Sequence, residues 1–326
     1  MTVFSLILIK QGCCQDIHFS SVGFSPMFFN PAMTAFMNNT FRISTIYRNQ
    51  WQTVSKGYNT FFLAVEMQPY LSIDNSKGVG VGFAFTKDVA GSLSFGERDI
   101  MVSTSFFFAL DRNKKTYLSL GLEGMRKNWS MSLANAKFNQ QGQYDDDITY
   151  SQLNTYDFSL GISLQHAKDE QHLFNTSIAL FHINTPSLSR FKDNKIYMHQ
   201  RFFANLSYLF PYATNEYVSI NPQIFYQHQH SFNEWLVGAD VLFQLRDAIF
   251  ISQIFTIGLY CRNLESIVIS PKFKYNNLIT GMAYDVNISR LSKVSKTYGA
   301  IEIWLSYSFK PFFNRQKLTK IPCPIF

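Results

Sequence analysis

The chain has 326 residues, of which 16 % are charged and 17 % aromatic, with 33 Phe, 17 Tyr and a net charge of +7. Ordinary soluble proteins carry about 25 % charged residues, so this composition points to a large apolar outer surface or an unusually large core. No run of about 18 apolar residues is present, which argues against a helical membrane span, and the four cysteines show no CxxC or Cys/His spacing of a zinc site.

The first residues, Val3 to Ile9, form a short apolar stretch followed by Lys-Gln-Gly-Cys-Cys-Gln. Gly12 and Cys14 fit the small −3 and −1 positions of a secretory cleavage site. Residues 1–14 are therefore expected to be a leader, its start truncated because no basic n-region precedes it, and Gln15 the first mature residue. Acylation at Cys13 is disfavoured because Lys10 stands where an apolar residue is wanted. Residues 15–39 then form a Phe- and Met-rich stretch interrupted by Pro26, Asn30 and Pro31. Proline removes a donor and breaks a helix, so this stretch is too broken to span a membrane and too apolar for a linker.

From residue 40 onward the pattern is period-2 alternation, which means strand. Fourteen strands are expected near 40–50, 58–68, 78–88, 98–110, 116–126, 156–167, 172–183, 198–210, 216–228, 234–246, 252–262, 265–273, 276–288 and 298–309. Their length suits tilted membrane strands, which need about 9–11 residues, better than globular ones of about 5–6. In the third, Val79, Val81, Phe83 and Phe85 share one face, and Gly78, Gly80, Gly82 and Ala84 share the other. The second face is neither charged nor bulky, as suits a crowded lumen or a close neighbour. Phe158, Leu160, Ile162 and Leu164, and later Val237, Ala239, Val241 and Phe243, repeat the apolar face. Connections after even-numbered strands are mostly short and polar, and several after odd-numbered strands are longer, above all 127–154. Short periplasmic turns and long outer loops mark an outer-membrane barrel. The expected fold is therefore an all-β transmembrane antiparallel barrel over residues 40–309, with both chain ends periplasmic. A soluble β-sandwich would need a charged outer face on each strand, which these strands lack.

A Lys or Arg facing lipid near the midplane costs about 2–4 kcal/mol, so charges within strands should point inward. Parity places Arg42, Arg48, Glu66, Asp285 and Glu302 in the lumen. Estimated heights predict two sets of ion pairs, Arg42 with Glu66 low, and Arg48 with Glu302 and Asp285 high. Phe62, Phe107, Tyr117 and Trp304 also face inward and favour a filled barrel. The N-terminal stretch is expected on the periplasmic side before the first strand. Phe24, Pro26, Phe28, Phe29, Asn30, Pro31 and Phe36 are expected to tuck as a plug into the lower lumen or line its periplasmic mouth.

No catalytic constellation is found: the seven histidines are scattered, His228-Gln-His230 reads as a solvated rim, and Asp145-Asp146-Asp147 lacks the glycine and ligand spacing of a calcium loop. No enzyme activity, cofactor or metal is expected. The chain ends in Tyr307-Ser-Phe309 and then a basic tail, residues 310–326. Lys310, Arg315, Lys317, Lys320, Cys323, Pro324 and Phe326 are candidates for periplasmic docking.

Three segments carry a family likeness: QDIHFSSVGFSPMFFNPAMTAF with YRNQW at Tyr47 to Trp51; IGLYCRN, GMAYDVNIS and GAIEIWLSYSF; and the ending Cys323-Pro-x-Phe326. Together they resemble the PorP/SprF outer-membrane proteins of the type IX secretion system of Bacteroidota. Cys261 departs from the small residue more usual in its segment, and the tail is less densely basic than in many members. The resemblance implies a barrel of the bacterial outer membrane without enzymatic activity. Its implied partners are other type IX secretion components, including periplasmic ring, lipoprotein and peptidoglycan-associated proteins, or a secreted adhesin, with outer-membrane lipid around it and no nucleic acid. The alternative is a porin or a small-solute or fatty-acid channel.

Overall fold

The computed structural model describes residues 16–21, 24–50, 57–91, 95–132, 150–169, 171–188, 196–213, 215–248, 251–289, 292 and 297–310. A short helix α1 (Pro26–Phe29) and a 3-10 turn (Pro31–Met33) precede fourteen strands. These are β1 (Phe41–Gln50), β2 (Tyr58–Leu71), β3 (Lys77–Ala90), β4 (Phe95–Ala109), β5 (Thr116–Ser132), β6 (Tyr150–Ala167), β7 (Leu173–Phe181), β8 (Arg201–Tyr212), β9 (Asn215–Gln229), β10 (Phe232–Ala248), β11 (Ile251–Arg262), β12 (Ser266–Tyr275), β13 (Leu278–Asn287) and β14 (Tyr298–Phe309). Each strand pairs antiparallel with its sequence neighbours, and β1 pairs with β14 to close the barrel. Every strand expected from alternation is present. The β5–β6 hairpin runs further than expected, to Ser132 and from Tyr150.

Strand parity follows the side chains. Ile43, Tyr47, Phe83, Phe158, Leu160 and Ile162 are exposed on the outer surface, whereas Phe62, Ala64, Ala84, Phe107 and Trp304 are buried on the inner one. An apolar outside is stable only in lipid, where a closed barrel leaves no backbone group unpaired. Because the strand number is even, Phe41 of β1 and Phe309 of β14 lie side by side, at the same end as the short turns 72–76, 110–115 and 168–172. The strand ends Ser132 and Tyr150, and Phe181 and Arg201, lie at the other end.

The N-terminal segment fills the lumen and differs from expectation in its direction. It does not enter at the short-turn end where β1 begins. Asp16 contacts Arg201, the first residue of β8, and Gln229, the last of β9, both at the long-loop end. From there the segment descends to Phe36, which packs on Phe107 and Tyr117 near the short turns. It crosses nearly the whole lumen before the chain turns back into β1.

Candidate functional site in the barrel lumen

The small inner face of the wall makes room for this segment. A β-carbon on Gly161 would overlap Asn30 Oδ1, and one on Gly121 would overlap the backbone of Pro31 and Ala32. Gly80 faces the Thr34 carbonyl and Gly82 faces Met27 in the same way. The glycine face of the third strand is thus a close neighbour's footprint.

At the short-turn end, Arg42 Nε and Nη2 donate to the two carboxylate oxygens of Glu66 at 2.6 and 2.7 Å. Glu66 Oε1 also accepts the Ala35 amide at 2.9 Å. Ala35 has φ +49°, an uncommon conformation for a residue with a side chain, and it aims this amide at Glu66. Ser105 Oγ donates to the Thr34 carbonyl at 2.6 Å, and Ser119 Oγ donates to that of Ala32. The Asn30-Pro31 dipeptide acts as a staple. Asn30 Oδ1 caps the 3-10 turn by accepting the Ala32 amide at 2.8 Å, while Nδ2 donates to the carbonyls of Ile162 and Ile178 on β6 and β7. A buried amide needs all these partners, and each unmade bond would cost about 1–3 kcal/mol.

At mid-height the segment is aromatic. Phe28 packs edge-on against Phe62 with ring centroids 5.3 Å apart, Phe24 lies 5.3 Å from Trp304, and Phe29 reaches Phe203 at 5.6 Å. Full burial of such side chains contributes about 1.5–3 kcal/mol each, so this layer supplies most of the apolar hold. Pro26 and Pro31 start α1 and the 3-10 turn, where a missing amide hydrogen costs nothing.

Above it lies an ionic layer. Glu302 accepts the amides of Ser20 and Ser21 at 2.6 and 2.8 Å and pairs with Arg48. Asp285 Oδ2 lies 3.4 Å from Arg48 and 2.8 Å from Arg262. The Ser20 hydroxyl donates to Asp285 and accepts from Arg48 and Arg262, which saturates it. At the long-loop mouth, His182 stands between Asp16 and Asp157, with Arg201 and Lys127 beside Asp16. Lys127 also pairs with Glu97 and Asp99. On the far wall Lys272 and Tyr260 satisfy Asp240.

Several residues singled out from sequence therefore meet: Arg42 with Glu66, and Arg48 with Glu302 and Asp285. Phe24, Pro26, Phe28, Asn30, Pro31 and Phe36 are buried in the lumen, and Phe29 is partly so. Sequence reasoning missed Ser20, Arg262, Asp16, His182, Lys127, Asp157, Arg201, Asp240 and Lys272. Inward parity on β5, β6, β10, β11 and β12 would have found Lys127, Asp157, Asp240, Arg262 and Lys272; Asp16, Ser20 and His182 carry no strand parity. His228 lies against Asn233 and His230 stacks on His199 at the exposed long-loop rim. Lys310 is exposed beside β14. Arg315, Lys317, Lys320, Cys323, Pro324 and Phe326, the leader and Asp145 to Asp147 lie outside the described residues.

The sequence matches the family model of the type IX secretion system membrane protein PorP/SprF over residues 13–307. The chain belongs to the PorP/SprF family. As a family member with a closed apolar-faced barrel, it is a type IX secretion protein of the outer membrane. No curated protein matches the sequence. Among solved structures, the barrel is similar to the CymD monoaromatic hydrocarbon channel, with 11 % identity over 89 % of this chain and 94 % of that one and a TM-score of 0.51. It is also similar to the toluene transporter TbuX of Ralstonia pickettii, with 11 % identity over 88 % and 94 % and a TM-score of 0.50. At such identity the likeness is one of fold.

Proposed function

We propose that this PorP/SprF protein serves type IX secretion by binding, as a closed outer-membrane platform for periplasmic machine components or a cognate secreted adhesin, and not by conducting solute or catalysing a reaction. The observation that carries this reading is the lumen: the protein's own N-terminal segment runs through it from the long-loop end to the short-turn end, with ion pairs at both ends and an aromatic layer between. A lumen filled in this way leaves the two ends as the surfaces at which partners are met. The short-turn end, by the usual rule of outer-membrane barrels, faces the periplasm, and Lys310, which follows β14 at that end, opens a basic stretch of sequence. Basic side chains beside an apolar C-terminal end suit docking on an acidic, partly apolar protein surface.

Affinity purification from native membranes tests this reading. Secretion components or an adhesin are expected to co-purify with the full chain, and the periplasmic ones to be lost when the chain is truncated after Phe309. Recovery of the barrel alone from both would sink the proposal. The alternative of a small-solute channel requires the segment to leave the lumen. Large stable single-channel conductance of the intact protein would favour it.

A further inference from the structure

The polar contacts of the lumen segment differ along its length. Residues 24–36 are held by aromatic packing and by uncharged or backbone hydrogen bonds, joined by one hydrogen bond from the Ala35 amide to the lumen carboxylate of Glu66. Ser20 and Ser21 are held by Glu302, Arg48, Arg262 and Asp285. Upstream of them, Asp16 makes its shortest contact with one histidine. His182 Nε2 lies 2.5 Å from Asp16 Oδ2 and its Nδ1 lies 2.6 Å from Asp157 Oδ2. As carboxylates, both partners only accept. A neutral imidazole has one N–H and would turn a lone pair toward one carboxylate, so this geometry requires the doubly protonated ring. His182 is buried, which excludes water as a substitute donor.

We propose that the imidazolium of His182 is a latch at the long-loop mouth, and that losing its ring proton frees residues 16–18 while Ser20 and the segment beyond it stay in place. The charged groups around the latch are Asp16 of the segment, Glu97 and Asp99 on β4, Glu123 and Lys127 on β5, Asp157 on β6 and Arg201 on β8. Lys127 and Arg201 hold a share of the Asp16 charge, at 3.9 and 3.3 Å, but neither reaches it with the short contact that His182 makes. Opening would uncover the recess lined by Asp16, His18, Arg201, Gln227, Gln229 and Phe232. The latch concerns this mouth alone, so its failure leaves the binding function as proposed above.

The test uses the full-length protein in outer-membrane vesicles, with its native cysteines replaced and single cysteines placed at Ile17 or Ser21. The readout is the labelling rate by a membrane-impermeant maleimide, compared at each pH with the same cysteine in a His182→Arg background, which keeps the positive charge and cancels the pH dependence of the thiol. Relative to that background, Ile17→Cys is expected to label on the order of ten- to a hundredfold faster at alkaline than at neutral pH, as for loss of one charged hydrogen bond. His182→Gln is expected to label at the faster rate already at neutral pH, and Ser21→Cys to stay protected throughout. Equal Ile17→Cys rates at both pH values in otherwise native protein would overturn the latch. So would matching acceleration at Ser21→Cys, which would mean that the whole segment leaves.

Discussion

Glu66 sits where three needs meet: it pairs with Arg42, accepts the amide of Ala35 and lies fully buried on the wall. A buried carboxylate of this kind is tolerated because each oxygen has a donor, and removing one partner of such a pair costs about 3–5 kcal/mol. Asn30 meets the same condition without charge, and it depends on a missing side chain opposite, at Gly161. Gly161→Val is therefore expected to expel Asn30 and loosen the segment, seen as rapid maleimide labelling of Met33→Cys, which is buried in the native protein. Adding Asn30→Ala should restore part of the protection by removing the clash. Unchanged protection in Gly161→Val would mean that the wall yields instead. In the sequence, Gly161 is one inward glycine among several; only the path of the segment shows that it faces the staple.

At the scale of elements, the short turns are built by their own acidic residues. Asp74 accepts from the Ser76 amide and hydroxyl, and Asp169 from the amides of Gln171 and His172 and from the His172 ring. Hydrogen bonds from the Ser72 and Ser76 hydroxyls hold the Asp74 carboxyl well below the usual carboxylate range, and the His172 side chain lowers that of Asp169. A lowered folded pKa stabilises the turn above the ordinary carboxylate value, and that contribution is lost as pH falls through the lowered one. The amides of Ser76 and His172 should thus remain protected from hydrogen exchange through pH 5 and lose protection only at more acid pH, after correction for intrinsic rates. Loss of protection already between pH 6 and 5 would contradict the turn chemistry. These turns were legible in advance as polar connections after even-numbered strands. The early stop given to β5 was not, because the alternation fades toward Ser132 while the ladder to β6 continues.

Across the whole molecule, the segment descends through a barrel that begins with the very next strand. A closed ladder offers no side entrance, so residues 16–36 either lie inside before β1 meets β14 or thread in through a mouth. Deleting residues 16–36 is expected to leave a barrel that still shifts on heating in gel electrophoresis but now shows large, stable single-channel conductance. A deletion that folds and stays electrically silent would show that wall side chains alone close the lumen.

Sequence alone settles the barrel, its fourteen strands, the side of the wall on which each residue lies, and the presence of an apolar segment needing cover. These follow from a period of two, a local property that any strand carries along its length. Arg42 and Glu66 were legible as partners because they sit opposite each other on neighbouring strands. Tertiary structure decided the rest. Asp16, Ser20 and His182 lie on irregular backbone, where no period fixes the direction of a side chain, and their partners come from strands far apart in sequence. The direction of threading is likewise absent from local pattern, because it depends on which end of a closed barrel offers charges to Asp16 and which offers rings to Phe36.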